Sequence, residues 1–428
     1  MGKQKIVIIG SSYASAAAYH NLEQSLSRTR EPAELLWITD KSYYFINELL
    51  TQILCDSVSI NDVTCGLRSV GIIKPGVSYL QADVKDIDLV KKIVKTNQGI
   101  FDYSYLVLAP QKDSINENEE SYKRNSFCLN SPIDALQIRT HVQKTLEKAA
   151  LENDQNKKSS LLTFCVVGAD VRGLEIACAL SDYVIHLLKH YYPELYKSQV
   201  KIYLIEARQN LFPDKDPFFK THIFCNLNKK RIQLLLNSKI TDFSKGKVLI
   251  NQEREIESGT VILSASNDYC ALMKSLNLRK DDHGNASVNI YLQADGFDDV
   301  FVIGDCSKCM DLNETASPNI ISTITQAQLC ASNILSKINN NPLNPLRTNF
   351  HINTMFLGAN SSIVDIKGFY LTGILGWLIH RFIYVLSFCG IYKKLKSFVS
   401  YLINICALRE NSYLDFFEKE KERQILKR

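Results

Sequence analysis

The chain has 428 residues, which is enough for two nucleotide-binding domains and an appendage. Apolar residues make up 46% of it and charged residues 22%, the composition of an ordinary globular protein with sizeable cores. A net charge of +5 is too small for a typical nucleic-acid-binding protein, so we expect no nucleic-acid partner.

The cysteine spacing and the N-terminal residues bear on the cellular compartment in which the protein folds. Twelve cysteines lie at irregular spacings, and the apolar run Ile6–Ile9 is typical of a strand rather than of a secretion signal. We therefore expect reduced thiols and no cleavable targeting segment. Cys306 and Cys309 form a Cys-x-x-Cys pair, but no second ligand pair is evident, so we predict no metal site.

The first element is a strand–turn–helix unit of the kind that binds dinucleotides. The apolar run Ile6–Ile9 is followed by Gly10 and an alanine-rich helix that reaches Leu22. Leu35–Thr39 is the next strand, and Asp40 directly follows it. In such βαβ units the acid after the second strand accepts hydrogen bonds from a ribose. Asp40 is therefore a candidate ribose ligand.

The glycine pattern of this first unit is incomplete. Gly-x-Gly-x-x-Gly reads here Gly10-Ser-Ser12-Tyr-Ala-Ser15. Ser12 stands where a glycine lets the pyrophosphate approach, and Ser15 where a glycine packs the helix on the strand. Serine is small and its hydroxyl can bond phosphate, so we expect weakened rather than lost binding. An ordinary α/β unit without a ligand is the alternative.

The segment after this unit predicts a small insert and a return to the sheet. Val77–Ala82 and Ile87–Val94 alternate like strands of a small antiparallel insert. Tyr105–Leu108 is another buried strand, and Ala109 follows it. Residues 113–126 are polar and predict a surface loop.

A second unit of the same kind begins at Phe164–Val167. Gly168 and Gly173 stand at the first and third positions of the glycine pattern, but Asp170 takes the middle one. A carboxylate at that place would repel a pyrophosphate, unless Arg172 compensates the charge. We therefore expect weak dinucleotide binding by this unit.

The second unit also ends in an acid. Val200–Ile205 is its next strand, and Glu206 follows. An acid there binds the ribose hydroxyls and favours NADH over NADPH. A simple helix cap is the alternative role for Glu206.

A late strand organises the prediction of the whole fold. Val300–Ile303 ends in Gly304, which permits a tight turn, and leaves Asp305 at its carboxyl end, where open α/β sheets bind ligands. A late strand that returns to the first sheet, with the second unit nested between, predicts a two-dinucleotide flavoprotein. The following helix, Pro318–Ile338, carries Gln326 as a candidate to face a site.

The tail after residue 356 changes character. Gly368–Tyr392 is almost wholly apolar, with His380 and Arg381 at its centre, and Lys393–Lys396 and the apolar Phe398–Cys406 follow. A charge at the midpoint of a membrane-spanning helix is costly. We therefore predict two amphipathic helices that lie on a membrane surface. A dimer-interface helix is the alternative, and a homodimer stays open.

In their order and spacing, these motifs resemble the type II NADH dehydrogenase (NADH:quinone oxidoreductase) family. The resemblance covers nearly the whole chain. It is carried by Phe45–Ile53, Ile60–Val63, Gly168–Glu175, Phe301–Asp305 and the Gly-Trp-Leu at 376–378. Each motif alone is weak, and their order together is fairly specific.

The resemblance implies an α/β fold with two nested Rossmann-like domains and a C-terminal amphipathic-helix membrane appendage. It implies FAD in a domain formed by residues 1–155 and 293–350, NADH as substrate in a nested domain at 156–292, and a membrane-associating region at 351–428. Quinone would enter from the membrane face, and the protein would be a peripheral membrane protein on the cytoplasmic side.

The resemblance also assigns roles by position. Glu175 would be a proton relay beside the flavin, and Gln326 would lie on the quinone-facing helix. The cofactor-binding positions that it implies, or that the glycine patterns indicate, are Gly10, Ser12, Ser15, Asp40, Ala109, Gly168, Gly173, Glu206, Gly304 and Asp305.

This sequence departs from the family at cofactor contacts. Ala109-Pro-Gln111 stands where the family has Ala-Thr-Gly, Ser264-Ala-Ser-Asn267 where it has an Ala-Gly turn, and Ile321 where it has a second glutamine. These departures favour an alternative, a catalytically degenerate membrane-bound paralogue with a binding or regulatory role. A sulfide:quinone reductase is a further alternative, but it needs a cysteine pair, of which only Cys128 is a candidate.

Overall fold

The computed structural model describes residues 3–29, 33–70, 77–111, 126–213, 215–244, 246–264, 271–310, 319–347 and 352–406. The loop predicted at 113–126 lies almost wholly outside these residues, as does the turn after Ser264. The helices and strands are given below in three stretches of the chain.

The first stretch contains nine strands and three helices in its described residues: β1 (Gln4–Ile9), α1 (Tyr13–Thr29), β2 (Ala33–Thr39), β3 (Tyr43–Phe45), α2 (Leu50–Leu54), α3 (Ile60–Val63), β4 (Thr64–Gly66), β5 (Val77–Gln81), β6 (Val84–Asp88), β7 (Ile93–Thr96), β8 (Gly99–Asp102) and β9 (Tyr105–Leu108). A 3-10 turn over Asn47–Leu49 leads directly into α2.

The second stretch holds the nested unit: β10 (Phe127–Cys128), α4 (Pro132–Leu151), α5 (Gln155–Leu161), β11 (Thr163–Val167), α6 (Val171–His190), β12 (Lys201–Ile205), α7 (Pro217–Lys229), β13 (Ile232–Leu235), β14 (Ile240–Ser244), β15 (Lys247–Ile250), β16 (Arg254–Glu257) and β17 (Thr260–Leu263).

The third stretch returns to the first sheet and then forms the tail: α8 (Ala271–Ser275), β18 (Ala286–Val288), β19 (Val300–Val302), β20 (Ser307–Cys309), α9 (Ile320–Ile338), β21 (Ile352–Phe356), β22 (Ser362–Ile366), β23 (Phe369–Thr372), α10 (Gly373–Ser387) and α11 (Ile391–Cys406). A 3-10 turn, Gly304–Cys306, separates β19 from β20.

The first sheet is parallel, with the strand order β19–β9–β1–β2–β5. Its central strand β1 has Ile6, Val7, Ile8 and Ile9 all buried, as expected where helices cover both faces of a parallel sheet. The prediction that the late strand returns to this sheet is confirmed, because β19 pairs with β9 in parallel. Asp305 therefore lies at the same edge of the sheet as Gly10.

The prediction for one of the two strands of the insert was wrong. Val77–Gln81 is not part of an antiparallel insert but pairs in parallel with β2 as the edge strand of the first sheet. The antiparallel insert consists of β6, β7 and β8. Alternation of polar and apolar residues fits both an edge strand and an antiparallel strand, so the pattern alone does not separate them.

The second sheet is also parallel, with the order β10–β17–β11–β12–β13. It lies in sequence between the early strands of the first sheet and β19, so the prediction of two nested Rossmann-like units is confirmed. Ser131 caps α4 by accepting the N–H of Asp134.

The tail adds an antiparallel sheet, β21–β22–β23, and two helices. The charge at the centre of α10 faces the protein. Arg381 is 6% exposed, donates to the carbonyl oxygen of Ser57 at 3.0 Å and lies over the rings of Trp377 and Tyr401. None of the helices that the structure describes combines the length and the apolar content needed to cross a bilayer.

The outer faces of the two tail helices are apolar and exposed. We call this surface the exposed apolar face. It consists of Ile374, Leu375, Leu378, Phe382, Leu386, Ile391, Tyr392, Leu395, Phe398, Val399, Leu402 and Ile403, each of which is 45% exposed or more.

Helix α6 lies so close to strand β11 that its third residue has to be a glycine. A Cβ on Gly173 would lie 1.8 Å from the carbonyl oxygen of Gly168 and 2.9 Å from the Cβ of Ser264. Both neighbours are fixed by the sheet, since Gly168 N–H donates to Ile205 and Ser264 N–H donates to Val167. The contact therefore sets the distance between helix and sheet.

Gly173→Ala should lower the free energy of unfolding by about 3 kcal/mol, because the helix would have to move off the sheet. Gly296→Ala is the control. Gly296 also has no side chain, and its φ of +84° costs an alanine about 1 kcal/mol, but no atom lies within 4 Å of the added Cβ. Urea unfolding of both variants measures the difference, and equal losses would show that the helix can relax.

Candidate functional site

A cleft of about 430 Å³ opens at the carboxyl edge of the first sheet. It is lined by residues that follow β1, β2 and β9, and by the turn before α4; those with polar side chains or a glycine backbone include Gly10, Asp40, Lys41, Gln111, Asn130 and Asp134. The carboxyl edge is where open parallel sheets bind ligands, and the size suits a nucleotide.

Gly10 is required by the close approach of two strand ends. Its φ is +132°, and a Cβ there would lie 2.1 Å from the carbonyl oxygen of Ala109 and 2.9 Å from Pro110. The turn after β1 and the turn after β9 therefore touch. Both turns form part of the wall of the cleft. Gly10 therefore contributes to the shape of the cleft by letting the two turns pack together.

The two serines of the first glycine pattern donate their hydroxyl protons to backbone carbonyl groups of the protein. Ser12 Oγ donates to the carbonyl oxygen of Ala109 at 2.7 Å, and the buried Ser15 Oγ lies 2.9 Å from the carbonyl oxygen of Gly10. In this conformation, neither hydroxyl proton points to the cleft. Contact of these hydroxyls with phosphate stays a prediction, and it requires Ser12 to rotate.

Two polar groups of the cleft fit a nucleotide. Asn130 lines the cleft, and its amide nitrogen Nδ2 is buried and has no hydrogen-bond acceptor among the described residues. Asp40 is exposed at the end of β2, in the position of a ribose acceptor. A buried unpaired donor costs free energy unless a ligand or water fills it. The residues present therefore fit the adenosine diphosphate part of a flavin dinucleotide.

Sequence reasoning missed Asn130. It follows the short strand β10, which belongs to the second sheet, yet it faces the cleft of the first. A polar residue just after a strand was the available signal. Since β10 has only two residues, its pattern was too short to be recognised as a strand.

The turn that carries Asp305 is held by Gln326. The side-chain oxygen of Gln326 accepts the N–H of Gly304 at 2.7 Å, and Gly304 has a φ of +79° with the Cβ of Ala14 against it. The amide oxygen of Gln326 is thus used inside the protein, and the role predicted for it toward quinone remains a prediction. Gln328, on the same helix, is exposed to solvent.

In the second unit the start of α6 is capped by Asp170. Its Oδ1 accepts the N–H of Gly173 and the hydroxyl of Ser264, both at 2.8 Å. A phosphate at the start of a helix is normally bound by such N–H groups. Asp170 therefore occupies a donor that a pyrophosphate would use, in line with the weak binding predicted from its charge.

Glu206 is likewise bound by the protein itself. It is 7% exposed and accepts the N–H of Ala169 at 2.8 Å, while Arg208 forms an ion pair with it at 3.0 Å. Burial raises the pKa of Glu206, but the hydrogen bonds from Arg208 and Ala169 outweigh burial and leave the pKa below its usual value. Glu206 is thus an anion at neutral pH.

A cluster of charged groups lies where the two units meet. Arg172, near the start of α6, interacts with the carboxyl groups of Asp170, Glu175, Glu48 and Asp305 and donates to the carbonyl oxygen of Leu129. Glu48 and Asp305 come from the first unit, and Arg172 and Glu175 from the second. Glu175 thus lies in the same cluster as Asp305, and its place beside a flavin stays a prediction.

Two of these carboxyl groups hold protons near neutral pH. Burial raises the pKa of Glu175 to about 8, while the N–H of Phe356, donated at 2.8 Å, favours the anion and limits the shift. Burial also raises the pKa of Glu48 to about 7, and repulsion by Asp305 adds to the shift. The cluster can therefore release and take up protons in the neutral range. Glu48 was not recognised from the sequence.

The cysteines give no support to a disulfide or metal centre in the described residues. The ten cysteines whose side chains the structure describes form no disulfide, and no group of three metal-binding side chains is found among the described residues. Cys306 Sγ faces the carbonyl oxygen of Pro110, whereas Cys309 ends the extended strand β20. Three extended residues place the two thiols too far apart for a bond.

Comparisons with known proteins show the family and the fold. The family model described as pyridine nucleotide-disulphide oxidoreductase matches residues 4–330. A protein of Staphylococcus saprophyticus named type II NADH:quinone oxidoreductase is 24% identical over 86% of this chain and 90% of its own length. The family resemblance predicted from the motifs is confirmed.

Two solved structures have the same fold. NDH2 from Plasmodium falciparum, in complex with NADH, has a TM-score of 0.80 and 17% identity, over 94% of this chain and 98% of that chain. The sulfide:quinone oxidoreductase of Aquifex aeolicus has a TM-score of 0.72 and 16% identity, over 94% and 95%. At these identities the likeness shows the fold alone.

The raised pKa of Glu175 predicts the pH dependence of stability. Its pKa is about 8 in the folded protein, whereas an unperturbed glutamate has a pKa of 4.5, so between these values the folded state binds the proton more tightly. The contribution of Glu175 to stability is therefore greatest below about pH 4.5 and is lost as pH rises toward about 8.

Glu175→Gln carries no titrating proton, and its amide oxygen can still accept from Phe356. Unfolding curves from about pH 5 to 8 should have a smaller pH dependence than those of the parent, and the variant should be the more stable form at pH 8. Glu147→Gln, on the exposed face of α4, is the control and should follow the parent. Parallel curves for Glu175→Gln and the parent would contradict the raised pKa.

Proposed function

Because the chain belongs to the pyridine nucleotide-disulphide oxidoreductase family, we propose that it is a flavin-dependent enzyme that passes electrons from NADH to a membrane quinone. The observation that carries the proposal is the charged cluster at which the two nucleotide units meet. There Arg172 of the second unit interacts electrostatically with Glu48 and Asp305 of the first. Two dinucleotides bound in the two units would meet at this junction.

The first cleft is the proposed FAD site. Gly10 and the turns beside it would line the pyrophosphate, Asp40 would accept from a ribose, and the unpaired amide of Asn130 would donate to the cofactor. Asp305 would hold the flavin end. The flavin, when bound, takes a hydride from NADH and gives two electrons to quinone.

The second unit is the proposed NADH site. Gly168 and Gly173 shape its loop, and Glu206 stands at the ribose position. Glu175 would hold a proton next to the junction, because its pKa of about 8 keeps it protonated at neutral pH. Quinone reduction consumes protons, and a buried neutral carboxyl group beside the cofactors can supply one.

The tail is the proposed membrane contact. The exposed apolar face would lie among lipid tails, and Lys396 at its border is exposed to anionic headgroups. Lys393 instead donates to the carbonyl oxygens of Asn61 and Thr64 at 2.6 and 2.8 Å, so it fixes α11 to the protein. The proposed location is peripheral, on the cytoplasmic side of the membrane.

Buried polar groups between the tail helix α10 and the first unit support the proposed reduction of quinone. His380 and Gln52 are buried and bonded to each other at 3.0 Å, and the rings of His380 and Tyr384 lie 4.7 Å apart. Burial lowers the pKa of His380 to about 3, and the charge of Arg381 adds to this, so the imidazole is neutral. Its Nδ1 and the Gln52 side-chain oxygen have no partner in the described part of the chain. These groups can bind a polar headgroup that enters from the apolar side.

A second candidate is a degenerate paralogue with a binding or regulatory role. It is favoured by the second unit, in which Asp170 and Glu206 bind donors that a dinucleotide would use. Anaerobic mixing separates the two functions. In an enzyme, NADH removes the visible flavin absorption and a short-chain ubiquinone analogue restores it; in a paralogue without dinucleotide binding, NADH leaves the absorption unchanged.

Asp305→Ala should reduce flavin binding about tenfold, because a carboxylate that bonds a ligand contributes about 1.5–3 kcal/mol. The measurement is the ratio of flavin to protein absorption after purification. Asp295→Ala removes the same charge from an exposed ion pair with Arg279 and serves as the control. Equal flavin content in all three proteins would remove Asp305 from the flavin site.

The membrane contact can be tested without disturbing the core. Leu375 and Phe382 are 65% and 55% exposed, whereas their neighbours Trp377 and Arg381 are buried. Leu375→Glu with Phe382→Glu should abolish flotation with vesicles that contain anionic lipid, because two charges would enter the apolar layer.

The control adds the same two charges elsewhere. Val90 and Ile100 are 86% and 67% exposed on the small insert, and Val90→Glu with Ile100→Glu should float like the parent. If the tail variant floats normally but its mass in solution falls from dimer to monomer, the exposed apolar face is a dimer interface instead.

A further inference from the structure

The carboxylate of Glu206 has no acceptor position left for a ligand. Its Oε1 accepts the backbone N–H and the side-chain Nε–H of Arg208, both at 3.0 Å. Its Oε2 accepts the N–H of Ala169 at 2.8 Å and a terminal N–H of Arg208 at 3.1 Å. A carboxylate offers about four such positions, and here the protein fills all four.

Of these four donors, two are fixed and two can leave. The backbone N–H groups belong to the turns after β11 and β12, which the second sheet holds in place. The guanidinium belongs to a side chain that is 57% exposed, while the Glu206 side chain is only 8% exposed. Arg208 can therefore swing into solvent without opening the fold, whereas Glu206 has to stay.

A ribose diol needs the two positions that Arg208 occupies. The diol donates two hydrogen bonds to an acid at the end of the second strand of a dinucleotide unit. With Arg208 in place, those bonds cannot form. The planar fork of an arginine matches a carboxylate with two parallel bonds, so it is a strong competitor for this acid.

We propose that Arg208 competes with the dinucleotide ribose for Glu206, so that its displacement limits how tightly the second unit binds its substrate. This inference rests on the proposed NADH site and adds the residue that sets its affinity. The Arg208–Glu206 contact uses the positions that the ribose would take and would be exchanged for the ribose on binding.

A direct role of Arg208 in binding a 2′-phosphate is the competing explanation. Arg208 keeps free N–H groups that could bind a phosphate. However, Glu206 lies in its fork and Asp170 is close enough to interact with its charge. The Nε–H and one terminal N–H of Arg208 already bond Glu206, so a phosphate bound by this guanidinium would lie beside a carboxylate, which disfavours it. The structure therefore favours the competition with ribose.

Calorimetric titration of the flavin-containing protein with NAD⁺ and NADP⁺ tests the proposal. The oxidised forms carry the same adenosine ribose and do not reduce the flavin. Arg208→Ala should bind NAD⁺ about tenfold more tightly than the parent, because the diol finds two free positions on a charged acceptor. NADP⁺ should gain nothing, since its phosphate would meet an unneutralised Glu206.

Two further variants establish the cause. Arg208→Lys keeps the charge but not the fork, so its affinity for NAD⁺ should lie between those of the parent and Arg208→Ala. In Glu206→Gln with Arg208→Ala, the gain should disappear, because the charged acceptor is gone. Arg279→Ala, which breaks an exposed ion pair far from the loop in sequence, controls for the loss of one positive charge.

The outcomes separate the inference from the function on which it rests. Equal NAD⁺ affinity in the parent and Arg208→Ala would overturn the competition while leaving the NADH site in place. No NAD⁺ binding by any variant would overturn both. A loss of NADP⁺ binding in Arg208→Ala, with NAD⁺ unchanged, would identify Arg208 as a phosphate ligand.

Discussion

The contact between the start of α6 and the second sheet is the constraint on which the rest depends. Asp170 caps the helix through Gly173, and the missing side chain of Gly173 lets the helix lie on the strand. The same helix then reaches the other layers. Glu175 accepts from Phe356 of the tail sheet, and Asp182 accepts from Ala359 and pairs with Lys230. A shift of α6 would therefore move the site and the tail together.

This arrangement has an electrostatic cost at the junction of the two units. Several carboxyl groups surround one guanidinium, and burial weakens the screening between them. The protein lowers this cost by keeping Glu175 and Glu48 protonated near neutral pH. The same protons are what a reaction that consumes protons requires. The destabilising charge density and the proposed proton supply thus have one origin, as expected for a functional site.

The sequence predicts those features that follow from buried strands and their ends. The two strand–turn–helix units, the return of β19 to the first sheet and the place of Asp305 follow from apolar runs that end in a glycine or an acid. The hydrogen-bond partner of a side chain, in contrast, does not follow from the sequence pattern. Arg381 argued against a membrane-spanning helix, but the pattern did not show that Ser57, 324 positions earlier, accepts a hydrogen bond from it inside the fold. Contacts between residues that are far apart in sequence determine whether a side chain faces the protein or its surroundings. A local sequence pattern does not contain this information.

The departures from the glycine patterns have different consequences in the two units. In the first, the serines donate to backbone carbonyl groups, but Asn130 keeps a buried donor without an acceptor among the described residues. A ligand that accepted from this donor would remove the cost of leaving it unpaired. In the second, Asp170 and Arg208 already satisfy the loop, and a ligand would have to replace hydrogen bonds that each contribute about 1.5–3 kcal/mol. The proposed function accounts for this difference, because an enzyme in which one dinucleotide stays and the other leaves after each turnover needs tight binding in the first unit and exchangeable binding in the second.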